Sequence, residues 1–194
     1  ADSDLTSSVL IPVEVEHRID SLLLEVWLPK NVDAQRSNWI VFMPGLGGNH
    51  DHFRWLARKL SDKGWPVVLL EHPGSDLKAV KELLQGNNVL PGAEVLPDRL
   101  ADLKAVLDFK KSGVFDIPGE KVVLMGHSLG SLTAFLAAGA LPQDGLANRC
   151  DKALDDLSIT NLSQLLQCQL LDVQLEKQEL ISDLSSVIAI NGFG

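Results

Sequence analysis

Apolar residues alternate early in the chain and run together later. Between Leu22 and Leu28, the positions Leu22, Leu24, Val26 and Leu28 share one face of an extended segment, and Leu23, Glu25 and Trp27 share the other. Val9 to Glu16 also has strand character, and the short link His17-Arg18-Ile19-Asp20-Ser21 predicts that the two form a hairpin. Farther on, Trp39-Ile40-Val41-Phe42-Met43, Val67-Val68-Leu69-Leu70 and Val122-Val123-Leu124-Met125 are unbroken apolar runs. Such runs fit strands covered on both faces, as in a parallel sheet flanked by helices.

Helical spacing fills the intervals. Asp51 to Lys63 puts Phe53, Leu56, Ala57 and Leu60 on one side, with Asn49 as N-cap and Gly64 as stop. Arg99 to Lys111 repeats the pattern with Leu100, Leu103, Val106, Leu107 and Phe109, and ends at Gly113. Leu129 to Leu141 is nearly all small and apolar, which predicts a buried helix. Strands alternating with helices indicate an α/β fold: a mostly parallel sheet, helices on both faces and an antiparallel N-terminal hairpin. Two insertions interrupt the rhythm. Ser75 to Leu96 reads as loop, through Gly86-Asn87-Asn88 and Pro91-Gly92, with one short helix at Leu77–Leu84. The second, 142–183, carries Leu154, Leu157, Leu162, Leu165, Leu166 and Leu170 at amphipathic spacing, which predicts one or two helices placed as a cap. A last strand, Ser186 to Ile190, precedes Asn191-Gly192-Phe193-Gly194. The length of 194 residues suits a single domain spanning 1–194.

Charge and composition exclude several classes. With 17 basic and 26 acidic residues the net charge is −9, which disfavours nucleic acid and anionic lipid as partners, since both need a basic surface. No apolar run approaches the 18 residues or so of a membrane span. Ala1 to Ser8 has no basic n-region and no apolar h-region, so no signal peptide is expected there, and the compartment stays open. Cys150 and Cys168 form either one bridge or two buried thiols, and the ease with which a free cysteine packs favours thiols. Trp27, Trp39, Trp55 and Trp65 read as packing residues, because no basic groove accompanies them. His50-Asp51-His52 with Glu71-His72 is a loose candidate for zinc. Residues i and i+2 do not share a helix face, so loop and first-turn roles are expected instead, with no metal and no cofactor.

One motif carries chemistry. Gly126-His127-Ser128-Leu129-Gly130 matches G-x-S-x-G, follows a short buried strand and opens an apolar helix. That setting is a strand–turn–helix bend in which flanking side chains would collide with their neighbours, hence glycine. The bend lifts the serine hydroxyl to the carboxyl edge of the sheet and to a helix N-terminus, where backbone N–H groups favour negative charge. The N–H of Leu129 is then one donor to an oxyanion. The loop Pro44-Gly45-Leu46-Gly47-Gly48, after the first parallel strand, offers the N–H of Leu46 as the second.

Phe42-Met43-Pro44-Gly45-Leu46-Gly47-Gly48-Asn49, Gly64-Trp65-Pro66-Val67-Val68-Leu69-Leu70-Glu71-His72-Pro73-Gly74-Ser75 and the Ser128 motif together resemble the α/β-hydrolase superfamily. Within it the chain is similar to dienelactone-hydrolase-like and platelet-activating-factor-acetylhydrolase-like esterases, particularly predicted cyanobacterial members, over residues 9–194. The resemblance implies a serine carboxylic-ester hydrolase acting on short-acyl lipids or lactone-type esters, with Ser128 as nucleophile and Leu46 and Leu129 at the oxyanion hole. These relatives usually carry histidine where Pro44 stands. The acetylhydrolase-like members place the acid after the sixth strand, at the position of Asn191.

The order in this superfamily is Ser, then Asp or Glu, then His. His17, His50, His52, His72 and His127 all precede Ser128, so the usual triad cannot be assembled from these residues. An apolar final strand would also be an unpaired sheet edge, which soluble proteins avoid. The expectation is therefore an incomplete hydrolase fold, inactive by itself, with the base histidine outside this chain. The alternative is a non-catalytic module whose exposed edge binds a partner or a second copy.

Overall fold

The structure is a computed structural model that describes residues 8–86, 91–142, 144–155, 167–175 and 178–192. Six strands form one mixed sheet in the order β1-β2-β4-β3-β5-β6. They are β1 (Ser8–Val13), β2 (Leu22–Trp27), β3 (Asn38–Met43), β4 (Val67–Leu70), β5 (Lys121–His127) and β6 (Leu184–Ile190). The predicted hairpin is present: β1 pairs antiparallel with β2 in the register Ile11–Leu24. The β2–β4 pairing is also antiparallel, and the β4–β3, β3–β5 and β5–β6 pairings are parallel.

The apolar runs earn their places by alternation. Trp39, Val41 and Met43 point to one face and Ile40 and Phe42 to the other; Val122 and Leu124 oppose Val123 and Met125 in the same way. The larger face is covered by α3 (Leu96–Ser112) and α4 (Leu129–Ala137), through Leu100, Leu103, Val106 and Leu132. The smaller face is covered by α1 (His50–Asp62), through Phe53, Leu56, Ala57 and Leu60. Asn49 caps α1 as expected, its side chain accepting from the His52 N–H. Helix α2 is Leu77–Leu84, and Asp76 caps it by accepting from the Ala79 N–H. Helix α3 begins earlier than its apolar spacing suggests, because Pro97 fits its first turn. Helix α4 stops at Ala137, short of Leu141, where Gly139 turns left-handed.

The strand β2 shows what alternation alone misses. Glu25 and Trp27, on the face opposite Leu24, are as buried as Leu24, because β2 lies inside the sheet and α1 covers that side. Glu25 has partners there: Arg54 of α1 donates to both carboxylate oxygens at 2.9 Å, and the Ser8 hydroxyl donates at 2.6 Å.

Within 142–183, α5 (Leu146–Asp155) and the stretch 167–175 are described. Leu157, Leu162, Leu165 and Leu166 lie outside the described residues, as does the side chain of Leu154. The described parts pack beside α3 and α4: Leu170 joins the large core, and Gln169 Oε1 accepts from the Ala93 N–H at 3.0 Å. Cys150 and Cys168 form a disulfide, with Cα atoms 5.6 Å apart, which corrects the expectation of two thiols. The spacing of 18 residues did not show it; the chain must fold back on α5 before the two sulfurs meet. Strand β6 closes the described sheet with one paired edge, and Ile188 and Ile190 are partly exposed on it. No helix among the described residues is long and apolar enough to cross a membrane.

Candidate active site

Strand β5 delivers Ser128 to the carboxyl edge of the sheet, and α4 starts at the next residue. The bend between them is strained. Ser128 has φ 51° and ψ −118°, a conformation that residues with a Cβ rarely adopt and that costs about 1–3 kcal/mol. Backbone bonds hold it: the Ser128 N–H donates to Ile190 O at 3.0 Å, and its carbonyl accepts from the Ser131 N–H at 2.8 Å. Two glycines make the bend possible. A Cβ on Gly126 would lie 2.2 Å from Gly130 O, and one on Gly130 would lie 2.0 Å from Met43 O. The motif's glycines are therefore required by backbone contact, as the sequence pattern implied. Ser128 itself is neither buried nor fully exposed.

The loop 44–48 lies against this bend. A Cβ on Gly45 would sit 3.1 Å from Ser128 Cβ and 3.1 Å from His127 O. The loop is pinned on both sides of Leu46: Gly47 N–H donates to Ser75 O at 2.8 Å, and Gly48 N–H donates to Gly45 O at 3.1 Å. The N–H groups of Leu46 and Leu129 donate to no acceptor among the described residues. Leu129 is the first residue of α4, where helical N–H groups lack a partner within the helix. Ser128, Leu46 and Leu129 are thus carried on two segments that touch.

The other predicted position also falls nearby. Asn191 follows β6 in a left-handed conformation, φ 48°, which asparagine tolerates. Its neighbour Gly192 approaches Ser131, whose hydroxyl lies 2.7 Å from Gly126 O and 3.2 Å from Ile190 O. The histidines are placed elsewhere. His17 and His72 meet Asp102; His50 stands 3.6 Å from Glu71 and 3.9 Å from Glu25. His127 packs its ring on Phe53 at 5.6 Å, and His52 meets the same ring edge-on at 6.4 Å. Among the described residues none of the five bonds the Ser128 hydroxyl.

A buried polar cluster under this edge was not legible beforehand. Asp102 on α3 is fully buried and takes four donors: His17 Nε2 at 2.7 Å, Arg18 Nε at 2.7 Å, Arg18 Nη2 at 2.6 Å and His72 Nδ1 at 2.8 Å. Burial alone would raise its pKa; the bonds from His72, Arg18 and His17 outweigh it and hold the carboxylate at about 2. Burial, then the charge of Arg99, lowers His72 to about 3, so it is a neutral ring donating from Nδ1. One turn back on α3, Arg99 is also fully buried; its pKa is lowered by burial to about 9, with Asp102 holding it up, so it is a cation at neutral pH. The available signal was two charges, Arg99 and Asp102, on the same helical stripe as Leu96, Leu103 and Val106. An apolar cavity of about 560 Å³, lined by Leu136, Leu141, Leu170 and Leu180 among others, lies at the far end of α4 from Ser128.

A strained serine between a parallel strand and a buried helix, beside a glycine loop, is the strand–turn–helix setting of the G-x-S-x-G pattern. The chain belongs to the alpha/beta hydrolase fold family, whose model matches residues 38–150, more than half of its length. Solved structures of similar fold include a thermostable carboxyl esterase from Bacillus coagulans (12% identical, TM-score 0.49, covering 90% of this chain and 60% of that one). Est1E from Butyrivibrio proteoclasticus is 17% identical, with TM-score 0.47 and coverage of 67% and 45%. A Klebsiella pneumoniae protein provisionally described as a dienelactone hydrolase is 22% identical, with TM-score 0.48 and coverage of 70% and 55%. The chain thus spans about half the length of these structures. No curated protein sequence matches it.

Proposed function

We propose that this protein is a serine carboxylic-ester hydrolase working through an acyl-enzyme, with short-acyl lipids or lactone-type esters as substrates. The observation that carries this is the conformation of Ser128: a strained, half-buried residue is retained at a helix N-terminus, beside the 44–48 loop. Ser128 Oγ attacks the acyl carbonyl, and the Leu46 and Leu129 N–H groups hold the oxyanion as charge develops. The alcohol leaves with a proton, and water then cleaves the acyl-enzyme. None of the five histidines is assigned as the base, since among the described residues none of them bonds the Ser128 hydroxyl. The resemblance to acetylhydrolase-like esterases gives Asn191 the acid's position, where its amide would orient an imidazole without stabilising the imidazolium by charge.

The test is hydrolysis of p-nitrophenyl acetate and butyrate by the complete protein. The expected result is turnover that Ser128→Ala abolishes; turnover equal in the two proteins, or none in either, overturns the proposal. The competing role, a non-catalytic module binding through a sheet edge or pairing with a second copy, draws on the partly exposed Ile188 and Ile190 of β6. Ser128-dependent turnover excludes it.

A further inference from the structure

The buried guanidinium of Arg99 touches three segments. Its Nη2 donates to the carbonyl oxygen of Pro44, in the loop that carries Leu46. Its Nη1 donates to the Ser75 hydroxyl at 2.8 Å, and Ser75 O in turn accepts from the Gly47 N–H at 2.8 Å. Its Nε donates to Thr133 Oγ1 at 3.1 Å, and the Thr133 hydroxyl donates to Leu129 O at 2.9 Å. One planar fork therefore fixes the peptide two residues before Leu46, the partner of the residue after it, and the carbonyl of Leu129 itself.

We infer that Arg99 is a positioning residue for the oxyanion hole: it sets the Leu46 and Leu129 peptides in one mutual orientation so that both N–H groups converge. This rests on the serine-hydrolase proposal for Ser128. The geometry suits arginine in particular. Three acceptors in three directions match a rigid guanidinium, whereas a lysine ammonium on a flexible stem cannot hold all three in a fixed plane. A fully buried cation whose three bonds all go to neutral oxygens is a costly way to join two helices. Pro44 lies two residues before Leu46, the carbonyl of Ser75 takes the Gly47 N–H, and the Thr133 hydroxyl bonds Leu129 O.

The inference is tested with Arg99→Met, Arg99→Lys and the pair Ser75→Ala/Thr133→Val, which leaves the guanidinium in place but removes two of its acceptors. The probes are p-nitrophenyl acetate and a fluorophosphonate, with circular dichroism and thermal melting to establish folding. Loss of one oxyanion donor typically costs about 10²–10³ in rate. The expected result is kcat lower by about 10²-fold in Arg99→Met and about 10-fold in the paired variant, with KM nearly unchanged and phosphonylation slowed in parallel. Arg99→Lys is expected to restore the melting temperature more than it restores kcat. Folded variants with wild-type kcat and wild-type phosphonylation rate overturn the inference, and if Arg99→Met does not fold the paired variant decides. Should wild type neither turn over the ester nor take the probe, the serine-hydrolase proposal itself fails, and the positioning role with it.

Discussion

The bend at Ser128 and the cluster at Asp102 support the same end of the molecule with opposite materials. The bend is backbone: two glycines, a left-handed serine and main-chain bonds to Ile190 and within the first turn of α4. The cluster is side chain: a carboxylate of α3 with four charged or ring donors drawn from the β1–β2 link and the turn after β4. The bend contains no group whose charge must change for it to persist. The cluster is held by ionisation and should fail when ionisation changes. Arg99 is the bridge, since its charge faces the cluster and its bonds face the loop and the elbow helix.

The largest effect is expected at the bend. Gly130→Ala places a methyl 2.0 Å from Met43 O, in a backbone that cannot yield without moving β3. It should yield no folded protein, or lose more than about 4 kcal/mol in urea denaturation, equally at pH 5 and pH 8. A small loss would show that β3 and α4 are less tightly apposed than described. Next comes Asp102→Ala, which leaves Arg18 and His72 without their acceptor; breaking a buried charge pair costs about 3–5 kcal/mol. Urea midpoints close to wild type would break the contrast from the other side.

The pH dependence separates the two materials. His72 has a folded pKa of about 3, below its ordinary 6.5, so the unfolded chain binds that proton first. Stability is full above pH 6.5 and falls as the pH drops toward 3, by about 2 kcal/mol between pH 7 and pH 5. Asp102, depressed to about 2, adds its own loss only below pH 3.8. His72→Gln should flatten the slope between pH 7 and pH 5, and an unchanged slope would assign it to other groups. The smallest effect has the opposite sign. Ser128→Gly relieves the left-handed strain but loosens the unfolded chain, so a net gain of roughly 1 kcal/mol is expected in thermal or urea unfolding. A net loss would mean that the serine is not strained.

The same contrast explains what could be foreseen. The elbow was legible because its constraints are local: a strand run, G-x-S-x-G and a small-residue helix are contiguous, and the clash that demands glycine arises within five residues or against the adjacent strand. The 44–48 loop was legible because Gly45, Gly47 and Gly48 mark it. The strands β3, β4 and β5 declared themselves by length and continuous apolarity. The Asp102 cluster joins His17, Arg18, His72 and Asp102, separated by up to 85 residues, and no periodicity reports such a meeting. Arg99 and Asp102 share the buried stripe of α3 with Leu96, Leu103 and Val106, a spacing that signals burial but names no partner. The disulfide was hidden similarly, because a separation of 18 residues does not say that the two Cα atoms lie 5.6 Å apart.

The most direct test of the central claim is where an electrophile lands. The complete protein is incubated with a fluorophosphonate, digested, and its adduct located by mass spectrometry. The expected result is a single adduct on Ser128, absent in Ser128→Ala and slowed in Arg99→Met. An adduct on any other residue, or an unlabelled Ser128 in a folded protein, contradicts the account.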